Sequence, residues 1–122
     1  MSSADKVIEC CRALAQFTEE PGRTTRTFLS PPMRDVHRIL TMWMEQVGMR
    51  VSVDAAGNLR GMRGSGAKPL LIGSHLDTVP DAGAFDGILG VVLGIALVEA
   101  LGNRAPKLSI EVIGFSEIPM LL

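Results

Sequence analysis

Apolar positions recur along this chain in two periods, and the switches between them mark its elements. Over residues 4–17, Val7, Ile8, Cys11, Leu14 and Ala15 follow helical spacing until Thr18-Glu-Glu-Pro-Gly22 breaks the pattern. Residues 23–29 are polar and threonine-rich and read as a loop. It leads to Ser30-Pro31-Pro32, a serine placed as an N-cap with proline in the first turn. A second helix is expected from there to about residue 47, with Met33, Val36, Ile39, Leu40, Met42, Trp43 and Val47 as its apolar stripe and Gly48 as its stop.

The period then shortens. Residues 50–54 and 59–63 alternate around Ala55-Ala-Gly-Asn58, which is hairpin turn chemistry. After the connector Gly64-Ser-Gly-Ala67, the unbroken apolar run Pro69-Leu-Leu-Ile-Gly73 predicts a strand buried on both faces. An acidic, glycine-rich loop over residues 74–87, a helix over 88–101 and a strand over 108–115 complete the series. This order predicts an α/β fold with a hairpin and one βαβ unit over residues 70–115, on a mixed, mostly parallel sheet. Without further sheet beyond it, the strand over 108–115 is expected to be an apolar edge.

With 122 residues there is room for one domain, which should bury about two-thirds of the surface its unfolded chain exposes. Twelve Lys and Arg against 13 Asp and Glu leave no basic tract for nucleic acid. The 47% hydrophobic content is rich for a free-standing domain and points to apolar surface that expects a partner. The longest apolar run, residues 88–101 with Glu99 inside it, is shorter than the roughly 20 residues of a bilayer span. Asp5, Glu9 and Arg12 interrupt any secretory h-region, so no membrane partner and a cytoplasmic location are expected. Cys10 and Cys11 diverge on a helix and are expected as unpaired, half-buried thiols.

Candidate chemistry is concentrated in Gly73-Ser-His75-Leu-Asp77-Thr-Val-Pro80 and the following Asp81-Ala-Gly83-Ala-Phe-Asp86-Gly87-Ile-Leu-Gly90. His75 and Asp77 are expected just past the end of a strand, and Asp86 at the start of the next helix, the crevice where α/β sheets gather ligands. The i, i+2 spacing lets Asp77 accept a hydrogen bond from a metal-bound His75 and fix its tautomer. Asp86 can return across the loop to the same point, while Asp81 reads as solvated loop. Gly83, Gly87 and Gly90 permit tight turns and close approach. The other histidine, His37, is expected on the second helix in a surface or packing role.

These segments resemble the metal-binding signature of the aminoacylase/carboxypeptidase-like two-metal hydrolases. Within them the likeness is to the N-carbamoyl-L-amino-acid and allantoate amidohydrolase branch, which Thr25-Arg-Thr-Phe-Leu-Ser-Pro, Trp43-Met-Glu-Gln-Val-Gly-Met and Val53-Asp-Ala-Ala-Gly-Asn-Leu also resemble. The resemblance covers almost all of the chain to Glu117 and implies the N-terminal portion of a three-layer catalytic domain, spanning residues 1–122 and lacking a lid or dimerisation domain. It implies His75 as a ligand of one metal, Asp77 as the residue orienting it, and Asp86 as a carboxylate bridging two divalent ions, Zn²⁺ or Mn²⁺. The implied reaction is hydrolysis of a C–N bond, not a standard peptide bond, in an N-carbamoyl amino acid or a ureido substrate such as allantoate. A homodimer is implied for the full-length form.

The chain departs from the branch's pattern at Glu117-Ile118-Pro119. Glu117 matches only the position before the expected pair of working carboxylates, and neither Ile118 nor Pro119 can carry a proton or bind a cation. The truncated chain is therefore expected to be inactive alone and to hold at most one ion weakly. The competing reading is a non-catalytic binding or assembly module that keeps the fold. A phosphate loop at Gly61-Met-Arg-Gly-Ser-Gly-Ala-Lys68 is rejected, because the lysine does not directly follow the last glycine and the segment precedes a strand.

Overall fold

The computed structural model describes residues 4–66 and 68–116. Helix α1 (Ala4–Ala15) turns Val7, Cys10, Cys11 and Leu14 inward. Its helical pattern stops short of residue 17, and the amides of Gln16 and Phe17 reach back to Ala13 and Leu14. Both cysteines are buried rather than half-buried, and both are free thiols.

Helix α2 (Pro31–Gln46) buries Met33, Val36, Leu40 and Met44. Met42 lies off that stripe and is exposed. Ser30 occupies the N-cap but its side chain makes no capping bond. The reason is local: a capping oxygen needs the amide of N2 or N3, Pro32 has none, and the Met33 amide goes to the Ser30 carbonyl.

Strands β1 (Arg50–Val53) and β2 (Leu59–Arg63) form the expected antiparallel hairpin, with Val53 opposite Leu59. The carboxylate of Asp54 closes it, accepting the Ala56 and Asn58 amides at 3.0 and 2.9 Å. Gly57 takes the positive φ of 87° that the turn demands. The Asn58 amide and the Arg60 guanidinium together hold the Asp54 acid down to about 2.

Strand β3 (Leu70–His75), helix α3 (Ile88–Leu101) and strand β4 (Ile110–Phe115) make the βαβ unit, with β3 parallel to β4 from Leu70↔Ile110 to His75↔Phe115. The sheet order is β1-β2-β4-β3, and β2 pairs with β4 antiparallel. The mixed sheet is as expected, but one ladder of three is parallel rather than most. The edge assignment is reversed. The strand expected to be exposed, β4, lies inside the sheet, and the strand expected to be buried on both faces, β3, is an edge with Leu71 59% exposed. An apolar run reports what a strand can bury, not which neighbours it has been given.

The helices share one face. A Cβ on Gly61 would come within 2.7 Å of Met44 Sδ, and one on Gly94 within about 3.2 Å of Val112 and Ile72, so α2 and α3 touch the sheet side that carries these residues. Helix α1 packs against α3 as well, so α3 buries apolar residues toward both sheet and helix, while its Leu93 and Leu97 remain exposed. The opposite sheet face carries Leu71, Glu111 and Arg60. The described residues thus supply two of the three expected layers. No described helix is long and apolar enough to cross a membrane.

Candidate metal centre

His75 is the last residue of β3 rather than a loop residue, so the ladder to Phe115 fixes its backbone. The next peptide is held as well, the Leu76 amide donating to the Phe115 carbonyl at 2.6 Å. Beyond it the chain meets a strap formed by residues 24–27. The Thr78 amide donates to the Arg26 carbonyl at 2.7 Å, the Ala82 amide to Thr24 at 2.9 Å, and the Asp81 amide to the Thr25 hydroxyl at 3.0 Å. Asp81 is exposed and turned into the strap, in keeping with its reading as loop.

The loop returns to His75 through glycines. Gly87 has φ 77° and stands where a Cβ would lie 2.5 Å from His75 Nδ1; it also takes the N-cap position of α3, which an aspartate before a helix commonly fills. Gly90 lets the first turn of α3 press against Ser74, 2.7 Å from where its Cβ would be. These contacts bring Asp86 Oδ1 to 3.8 Å from His75 Nε2.

Proton placement on the imidazole follows from its partners. His75 Nδ1 is 2.8 Å from the backbone carbonyl of Asp77, and a carbonyl only accepts, so Nδ1 carries the hydrogen. The Asp77 carboxylate oxygen Oδ1 is farther, at 3.5 Å. The hydrogen-bond acceptor for the ring is thus the main chain of Asp77, where its carboxylate was expected. In the neutral ring Nε2 then has the lone pair, on the side of Asp86.

That pair fits a divalent cation in donor chemistry. A neutral imidazole nitrogen and a carboxylate suit Zn²⁺ or Mn²⁺. Two ligands about 2.1 Å from one tetrahedral ion stand about 3.4 Å apart, and the observed 3.8 Å needs only a small closure. Asp86 is about half exposed and free to make it. Among the described residues no cluster of three or more metal-ligating side chains occurs. Glu117, Ile118 and Pro119 lie outside the described residues.

Arg26 is the residue the sequence pattern did not single out. It is 1% exposed, and its guanidinium donates to the carbonyls of Leu76, Leu14 and Phe17 at 3.1, 3.1 and 2.8 Å. Burial lowers its pKa to about 10 while the charge of Asp77 opposes the shift, so it stays a cation at neutral pH. A polar Thr-Arg-Thr run carries no periodicity that would reveal this.

His37 is half-buried, and its Nε2 is 2.8 Å from the Ser116 hydroxyl at the end of β4. That hydroxyl donates its hydrogen to the Gly57 carbonyl at 2.6 Å, so it accepts from His37 Nε2–H. A serine spending its proton on a carbonyl is not being deprotonated by the imidazole, which excludes a Ser–His nucleophile here. The pair ties α2 to the sheet instead.

Comparison with known proteins decides the family. No family model matches the chain. Allantoate deiminase 1 of Glycine max is 40% identical over 120 residues, covering 93% of this chain and 25% of that protein. The N-carbamoyl-L-amino-acid amidohydrolase of Pseudomonas sp. (strain NS671) is 40% identical over 106 residues, 82% of this chain and 25% of its own length. The chain belongs to this amidohydrolase family. Its fold agrees: a hydantoinase/carbamoylase family amidase from Burkholderia ambifaria superposes with a TM-score of 0.81 at 32% identity, over 92% of this chain and 29% of that one. The chain spans about a quarter of the length of the curated amidohydrolases it matches.

Proposed function

We propose that this chain carries one half of a metal-dependent amidohydrolase centre, in which His75 and Asp86 are ligands and Asp77 orients His75. The observation that carries the reading is His75 Nε2 facing Asp86 Oδ1 at 3.8 Å, with the other ring nitrogen tied to Asp77. When two Zn²⁺ or Mn²⁺ ions are held at such a centre, the chemistry supplied is activation of a shared water against a polarised carbonyl. The substrate class is a ureido or N-carbamoyl amino acid compound such as allantoate, and the bond is a C–N bond other than a standard peptide bond. The names of the relatives support this class.

This chain's own residues do three things toward that end. Asp77 holds the hydrogen on Nδ1, keeping Nε2 as a donor lone pair. Asp86 offers a carboxylate with two oxygens, which suits a bridge. Gly87 leaves the space in which the ring stands. Moving a proton to the leaving nitrogen needs a further carboxylate, and Ile118 and Pro119 stand at the positions where the family pattern puts such groups. The 122-residue chain alone is therefore expected to bind one ion weakly and to turn over little or no substrate. The full-length form is proposed to be a cytoplasmic homodimer.

Titration calorimetry with Zn²⁺ and Mn²⁺, beside hydrolysis assays with allantoate and N-carbamoyl amino acids, tests both parts. Weak binding lost in His75→Ala, without turnover, is the expected result. Binding that His75→Ala leaves unchanged would remove the metal centre, and turnover abolished by His75→Ala would remove the claim of inactivity.

A further inference from the structure

A fully buried arginine is uncommon in a domain of this size unless something opposes its charge. Two of the three carbonyls that Arg26 reaches are those of Leu14, in the last turn of α1, and Phe17, just beyond it. A cation there offsets the negative end of the helix, and this much is structural. The third bond is different. Nε donates at 3.1 Å to the carbonyl of Leu76, the residue between His75 and Asp77.

The Leu76 residue is consequently gripped from both directions, its amide by Phe115 and its carbonyl by Arg26. The Arg26 backbone adds a second grip one step on, its amide donating to the Thr78 hydroxyl at 2.7 Å while its carbonyl accepts the Thr78 amide at 2.7 Å. Asp77 lies between these two anchors. Its carbonyl, the acceptor for His75 Nδ1, can point in few directions once the peptides on either side are fixed. A lysine in the same place would be a point charge without the rigid fork that serves helix end and loop at once.

We propose that Arg26 is a positioning residue for the candidate metal centre, acting through the residue 76–78 backbone to hold the Asp77 carbonyl against His75 Nδ1 and so to select the tautomer with its lone pair on Nε2. The inference rests on the reading of His75 as a ligand. Partners that orient a metal-bound imidazole are typically worth about 10- to 100-fold in metal affinity, so disabling Arg26 should weaken Zn²⁺ binding by about tenfold or more.

The test uses ¹⁵N-labelled full chain, metal-free, at a pH where both imidazoles are neutral. Long-range ¹⁵N–¹H spectra report the tautomer of His75 and, as an internal control for the fold, that of His37, whose Nε2–H is set by Ser116 at the end of β4. In the unaltered chain His75 should be Nδ1–H. In Arg26→Lys and Arg26→Gln, His75 should become a mixture of tautomers while His37 keeps Nε2–H, and calorimetry should show the loss of Zn²⁺ affinity. An unchanged His75 in both variants overturns the proposal. So does loss of the His37 signature together with that of His75 in both, since Arg26 would then merely hold the fold. If His75 shifts as stated but the unaltered chain binds no Zn²⁺, the positioning role stands and the metal reading falls.

Discussion

Substituting two glycines of one loop contrasts an open position with one pressed against His75. Gly83 and Gly87 have φ of 84° and 77°, so alanine at either meets a conformational penalty of about 1 kcal/mol, and more at Gly87, whose ψ of −54° lies outside the left-handed helical region. Around Gly83 a Cβ would find nothing within 4 Å. At Gly87 it would run into the His75 carbonyl oxygen and stand 2.5 Å from Nδ1. That oxygen belongs to the end of β3 and cannot retreat without disturbing the β3–β4 ladder, so the conflict should add the 1–3 kcal/mol typical of overpacking. The totals are about 1 kcal/mol for Gly83→Ala and about 2–4 kcal/mol for Gly87→Ala, within the 5–15 kcal/mol that domains commonly have. At about 4 °C per kcal/mol for a chain of this length, Tm should fall by about 4 °C and about 8–16 °C respectively. Thermal unfolding followed by circular dichroism reads the difference, and only Gly87→Ala should disturb the His75 imidazole resonances. Equal melting temperatures for the two variants would refute the placement of the ring against Gly87.

Asp54 is held down to about 2 from an ordinary 3.8, so its contribution to stability is full above about pH 4 and is lost as pH falls from there toward 2. Carboxyl NMR titration should find its midpoint near the lower value, and a midpoint at 3.8 would contradict the hairpin closure; Asp54→Asn should weaken the acid dependence. Burial pushes the Cys11 thiol up to about 11, so Cys11 should resist alkylation in the folded chain and react on unfolding. Rapid labelling of both cysteines under native conditions would show that α1 does not pack as described.

Much of the fold was legible because local signals and tertiary packing agree. The hairpin followed from Ala55-Ala-Gly-Asn58, and α3 appeared at its expected limits because glycines, Gly87 and Gly102, bound the apolar run at both ends. The parts misread depend on partners remote in sequence. β3 is as apolar as a central strand, yet its position in the sheet is set by which strands join it. Ser30 looked like a capping side chain, and the prolines that mark the helix start are what deny it an amide. At the site, the juxtaposition of His75 with Asp77 and Asp86 was readable from spacing. The use of the Asp77 carbonyl, and the burial of Arg26 against a peptide 50 positions away, were not, because main-chain direction and long-range contact leave no pattern in side-chain polarity.

The sheet order also has a kinetic consequence. Hairpin and β3 share no ladder; each is joined to the sheet through β4, the last described strand to be synthesised. Residues 59–63, already paired with residues 50–53, must therefore wait, during translation or refolding, for residues 110–115 to gain their second neighbour, and residues 70–75 to gain their first. Such non-local closures are slow relative to helix and turn formation. His75 and the Leu76 amide receive their anchors from Phe115 only at that step. The geometry around the imidazole is thus completed late, after the helices and the 54–58 turn can already exist.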